Sequence, residues 1–332
     1  MEINETLVFL QFTLLSAFLN MAHCEQYQEY EYTQVENQIY IKSYKGTNRN
    51  VVIPSEINHK PVVGISEKAF LDSSVEEVKL PESTKDIGSG AFAKCKNLKI
   101  INIPSKVSII NEWTFTACKS LETIELPKSI KEIKSHAFAY SPSLTNLVLP
   151  DSIITIGSAA FSECYSLSNI RLPSGITAIN DNTFYNCTNL ESITIPNGVK
   201  EIKRSAFELC LKLSQYQLPY CLEKIEHHAF AYCSGPRDIV FPRGLSDIGE
   251  RAFTHNKNIA NICLPSGLKN AGDNAFSSCS NLKNIEVKSS FTLGKYIFAD
   301  CISLTNVQLN RMSLINSGAF YGCTNLQSIR LK

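Results

Sequence analysis

The sequence predicts an α/β repeat solenoid, a stack of about twelve coils of 22–23 residues with short strands, short helical or 3-10 turns and an N-terminal β-hairpin cap. Two ladders and a column predict it. Phe recurs at positions 70, 92, 115, 138, 161, 184, 207, 230, 253, 276, 298 and 320, at intervals of 23 residues through the middle and 22 at the first step and the last two. Pro recurs every 23 residues from Pro81 to Pro265. Cys stands three residues after the Phe in nine coils, at 95, 118, 164, 187, 210, 233, 279, 301 and 323. Periods of this length signal stacked supersecondary units rather than separate globular domains.

Each coil follows the same grammar, as in LETIELPKSIKEIKSHAF from Leu121 to Phe138. Ile124 and Leu126 alternate as a short strand with one face inward. Pro127 ends that strand because it has no amide hydrogen for a ladder. Ile130 and Ile133 point inward from a turn and a second short strand. The position four before the Phe is often Gly or Asn (Gly88, Asn111, Gly157, Asn180), which predicts a left-handed corner there. The run Ala-Phe-x-x-Cys-x-x-Leu has the spacing of an inward-facing helical or 3-10 turn. One coil cannot bury its own apolar edge, but a stack can, and twelve coils give a rod or arc on the order of 55 Å long.

The consensus L-x-x-I-x-L-P-x-x-(I/V)-x-x-I-(G/N)-x-x-A-F-x-x-C-x-x-L resembles the BspA-type leucine-rich repeat over roughly residues 28–332. The resemblance implies a surface or secreted binding protein. Repeats of that type occur in oral bacteria and anaerobic protozoan parasites, linked with adhesion to host matrix, coaggregation and antigenicity.

The domain reading follows. Residues 1–23 are expected to be a signal peptide, with the uncharged apolar run LVFLQFTLLSAFL at 7–19 as its core. That run is too short for a comfortable membrane span, and no transmembrane anchor is expected once it is removed. The acidic MEINET start leaves open that the run packs as structure instead. Residues 24–63 are read as the hairpin cap and 64–332 as the solenoid. Localisation is expected to be secreted or cell surface, with the cytoplasm as the alternative.

Composition narrows the function classes. The chain has 332 residues, 44% hydrophobic, with 32 basic against 31 acidic side chains, which gives no basic face for nucleic acid. No catalytic, cofactor-binding or metal residues are predicted, because no nucleophile, phosphate or zinc motif interrupts the repeat. The Cys column reads as buried free thiols bonding to the neighbouring coil, since Ser141 and Asn256 replace Cys in two coils. Disulfides between adjacent coils are the alternative.

The candidate partner-binding residues lie on the outward face of the first strand: Asn146, Asn169, Arg171, Ser192, Thr194, Gln215, Gln217, Asp238, Asn261, Asn284 and Glu286. This nearly neutral, hydrogen-bonding stripe suits a protein or glycan ligand, though an Asn column bonding to itself would serve the fold equally. Asn186 of the Asn186-Cys187-Thr188 sequon is a candidate glycosylation site. The reading is a non-enzymatic adhesion protein for host or matrix components, with an intracellular interaction scaffold as the alternative.

Overall fold

The computed structural model describes residues 24–288, 290–310 and 313–331. The expected leader at 1–23 lies outside them. The chain opens with an antiparallel meander of β1 (Cys24–Tyr27), β2 (Tyr30–Val35) and β3 (Gln38–Tyr44). β3 pairs in parallel with Lys60–Ile65, which in turn pairs with Asp86–Ile87 of the first regular coil.

Beyond it the chain winds through a coil with three sides. Two sides are parallel ladders of very short strands. One runs through Asp238–Val240, Asn261–Leu264, Asn284–Val287, Asn306–Leu309 and Ser328–Leu331 and is continued N-terminally by equivalent strands such as Asn169–Arg171. The other runs through segments such as Glu201–Ile202, Lys224–Ile225 and Asp247–Ile248. Register steps by one coil each time, Ile239 opposite Ile262 opposite Ile285, so like residues stack on like.

The third side corrects the expectation of helical or 3-10 turns. None occurs among the described residues, so the solenoid is built of strands and turns. Three overlapping turns take the place of the helix: Ala91 N–H donates to Gly88 C=O, Ala93 to Gly90, and Cys95 to Phe92, at 3.0–3.2 Å. Gly90 and Lys94, the third residues of the outer two, have φ of +61° and +60°. That is the backbone sign a type II turn demands. Positive φ recurs at the residues two before and two after the Phe throughout the stack, and a helix cannot propagate through it. No β-branched residue occupies any of these positions, as sterics require.

The left-handed corner therefore sits at these two positions and not four before the Phe. Gly88 and Gly157 serve close approach instead. A Cβ on either would lie 2.5 Å from a backbone nitrogen of the preceding coil, Glu67 or Ser135. Asn111 and Asn180 use the same spot to donate to the carbonyls of Ile87 and Ile156 at 2.8 and 2.6 Å.

The turn side is also a ladder. Gly90, Phe92 and Lys94 donate their N–H groups to the carbonyls of Glu112, Thr114 and Thr116 in the next coil, at 2.7–3.0 Å. Inside, the Phe rings stack with centroids 5.0–5.7 Å apart. At the head of the column Tyr44 lies 5.1 Å from Phe70, with Tyr30 packed on Tyr44 at 5.6 Å. The cap thus supplies one more turn, about thirteen in all. Truncating a central ring, Phe184→Ala, is expected to cost about 3–5 kcal/mol in a urea unfolding titration, because both neighbouring rings lose a face.

Two consecutive coils depart from the grammar. Tyr216 replaces the inward Ile, Pro236 the expected Leu, and Phe241 the Leu before the ladder Pro. Tyr216 stacks on Phe230 at 4.8 Å, and Phe241 meets Phe253 edge-on at 5.6 Å. The buried Tyr216 hydroxyl has no hydrogen-bond partner among the described residues. Tyr216→Phe is expected to raise stability by about 1 kcal/mol, read as a higher urea midpoint at unchanged slope.

Candidate functional site

The strand side carries the candidate stripe. Alternation turns Ile170, Ile193, Ile239, Ile262 and Ile285 into the core and leaves their neighbours outside. Asn146, Asn169, Arg171, Thr194, Gln215, Gln217, Asp238, Asn261 and Asn284 are exposed; Ser192 and Glu286 are half-buried.

Shallow troughs divide the stripe. One of about 410 Å³ brings together Asp238, Asn261, Asn284 and Glu286 with Asn306 and Arg330. A second of about 500 Å³ joins Ser192, Thr194, Gln215 and Gln217. Arg171 instead pairs with Asp151 at 3.1 Å, and Asn169 donates to Ser168 Oγ at 3.2 Å. In the first trough the Asn column bonds along itself: Asn261 donates to Asp238 at 2.6 Å, Asn284 to Asn261 at 2.6 Å, and Asn306 to Asn284 at 2.9 Å. Asn261 and Asn284 each retain a second amide hydrogen and a carbonyl lone pair, so the column is ordered and still able to bind. Beside it the Cys263 thiol donates to Glu286 at 3.4 Å, and burial raises its pKa.

The Cys column lies inside. Each thiol donates to the Phe carbonyl of the preceding coil, as Cys118 to Phe92 at 3.2 Å, Cys187 to Phe161 at 3.1 Å and Cys233 to Phe207 at 3.1 Å. Ser141 and Asn256 make the same bond, to Phe115 at 2.9 Å and Phe230 at 2.7 Å. All twelve cysteines are free. The side chains run parallel and aim at backbone, so the disulfide alternative is not realised.

Burial pushes these thiols up, Cys95 to about 11 and Cys279 to about 12, from an ordinary value of 9.0. The unfolded chain ionises first as pH rises. Stability is therefore full below about pH 8 and falls as pH climbs through 9 toward the folded values, by up to about 1.4 kcal/mol per pH unit for each thiol. Urea midpoints between pH 7 and 10 check this. Iodoacetamide at pH 8 is expected to label exposed Cys24 while sparing Cys118, Cys164, Cys187 and Cys210 until the chain unfolds.

Asn186 sits on the turn side at a left-handed position, φ +57°, half-buried, with Cys187 inside. The turn side also carries residues that reading the strand face missed: Trp113, Tyr140, Tyr165 and Tyr185. Their signal was present in the sequence: Trp113 stands two before its Phe, Tyr140 two after, Tyr185 one after and Tyr165 four after, where most other coils carry small or polar residues. Among the described residues no three His, Cys, Asp or Glu side chains gather as metal ligands, and no helix is long and apolar enough to cross a membrane.

The family described as BspA type leucine rich repeat region matches the chain at residues 33–168, 131–239 and 223–332. The chain belongs to that family. A crystal structure of a leucine-rich repeat protein from Bacteroides ovatus is similar at 26% identity over 93% of this chain and 90% of that one, with a TM-score of 0.76. The leucine rich repeat protein of T. pallidum is similar at 32% identity over 57% of this chain and 91% of that one, with a TM-score of 0.53. No curated protein matches this chain. The BspA-type repeat fold is a binding scaffold, typically non-enzymatic, and suggests protein binding.

Proposed function

We propose that the protein is an exported adhesion protein, displayed or released, whose strand face holds a host or matrix protein through many weak polar contacts. The carrying observation is the exposed, nearly neutral stripe from Asn146 to Asn284 with its ordered Asn column. Repetition supplies avidity that no single contact has. In this reading residues 1–23 are a cleaved leader, 24–63 a cap and 64–332 the binding solenoid, with Asn186 open to glycosylation. The stripe's hydrogen-bonding groups would serve a glycan as well as a protein.

The second reading is an intracellular interaction scaffold. Twelve free cysteines favour it, because unpaired thiols suit a reducing compartment.

Binding of the intact chain to a panel of immobilised matrix proteins tests the first reading. The variant Gln217→Ala, Asn261→Ala, Asn284→Ala is expected to weaken retention at least about tenfold with unchanged circular dichroism, equivalent to about 1.4 kcal/mol. Because the stripe is nearly neutral, retention should change little between low and physiological salt. No retention above that of the variant contradicts the reading.

A further inference from the structure

The turn side carries a strip with a different chemistry. Its two rims are the side chains two before and two after each buried Phe, and its floor is small and buried, formed by Ala137, Ala139 and Ala160. On one rim Trp113, the chain's single Trp, is 43% exposed in a left-handed backbone at φ +60°. Its ring lies flat on His136, centroids 3.9 Å apart and planes 9° apart. Burial lowers the pKa of His136, so the imidazole beneath is neutral at pH 7.

Side chains of this rim lean toward the following coil, as Tyr296 leans over Gly318. The other face of Trp113 therefore looks back at the same position of the preceding coil, which is Gly90. A Cβ there would touch only Lys68 Cγ at 3.5 Å and Ala93 Cβ at 3.7 Å. Positive φ does not explain that Gly, because ten of the twelve coils carry a side chain at this position with the same φ sign. The result is a gap one coil deep over a bare indole face. Lys68 closes it on the far side, with its ammonium paired to Glu67 at 2.6 Å.

The rim is hydrogen-bonding and balanced in charge. Glu112 accepts from Ser89 Oγ at 3.1 Å and lies 3.6 Å from Lys134. On the opposite rim Tyr140 is 46% exposed, and Tyr165 donates to Glu163 at 2.5 Å. Tyr140 lies near enough to act electrostatically on the hydroxyls of both Tyr165 and Tyr185. A planar cation would need a net negative rim. An apolar peptide side chain would strip water from these polar groups without pairing them. An uncharged polyhydroxylated ring satisfies both parts, with its C–H face on the indole and its hydroxyls on the rim.

We propose that the strip between Gly90 and Tyr185 binds a glycan, one pyranose ring seated over Gly90 on the open face of Trp113 and further units against Tyr140 and Tyr165. This site is independent of the strand-side stripe, so either can fail without the other.

The single Trp makes the test direct. Trp emission of the intact chain is titrated with four tetrasaccharides: β1,4-linked glucose, β1,4-linked N-acetylglucosamine, β1,3-linked glucose and α-linked mannose. A saturable shift is expected with at least one. It should be abolished by Gly90→Tyr, which fills the gap with a residue this rim tolerates at Tyr296, and weakened at least tenfold by Tyr165→Ala. Unchanged circular dichroism and thermal midpoint establish that both variants fold. No saturable change with any of the four up to about 50 mM overturns the proposal, as does a response that Gly90→Tyr leaves intact.

Discussion

The stacked Phe column is the interaction on which the rest of the structure depends. Each ring lies on its neighbours at 5.0–5.7 Å, and each Phe backbone ties its own coil to the next. Phe92 donates its N–H to Thr114 of the next coil, while its carbonyl accepts from Cys95 in its own coil and from the Cys118 thiol of the next. Both carbonyl lone pairs are filled, in an interior where an unpaired one would cost about 1–3 kcal/mol. This explains why Cys, Ser and Asn share one position. The requirement is a small donor that reaches back one coil, and sulfur chemistry plays no part in it.

Because the core consumes one side of the strands and the residue before every ladder Phe, variation is confined to the outward columns. The strand side offers a long polar stripe organised by its own Asn chain. The turn side offers aromatic rims over a floor of Ala. Two surfaces of different chemistry on one rigid rod fit a protein that binds along its length, with the scaffold unchanged while the decoration differs.

The repeat, its period, the inward residues and the outward stripe were all legible from sequence, because each follows from period-two alternation or from a ladder that recurs every coil. The turn side was not. Ala-Phe-x-x-Cys has three-residue spacing in a helix and in overlapping turns alike, and only the sign of φ separates them. The signal that could have separated them is negative: no Val, Ile or Thr appears two before or two after any Phe of the ladder. The Gly column four before the Phe misled in the same way, because close backbone approach and positive φ both select Gly. The Trp113 site was hidden for a related reason. Its meaning lies in the neighbour one coil away, Gly90, and becomes visible only once the column is known to stack.

Residue-resolved hydrogen exchange tests the central claim most directly. The Phe amides donate between coils rather than within them, so those of Phe92 through Phe298 should exchange slowly and together, at the rate of global unfolding. Fast exchange at these amides, or protection that varies coil by coil without relation to the whole, would contradict a single cooperative column.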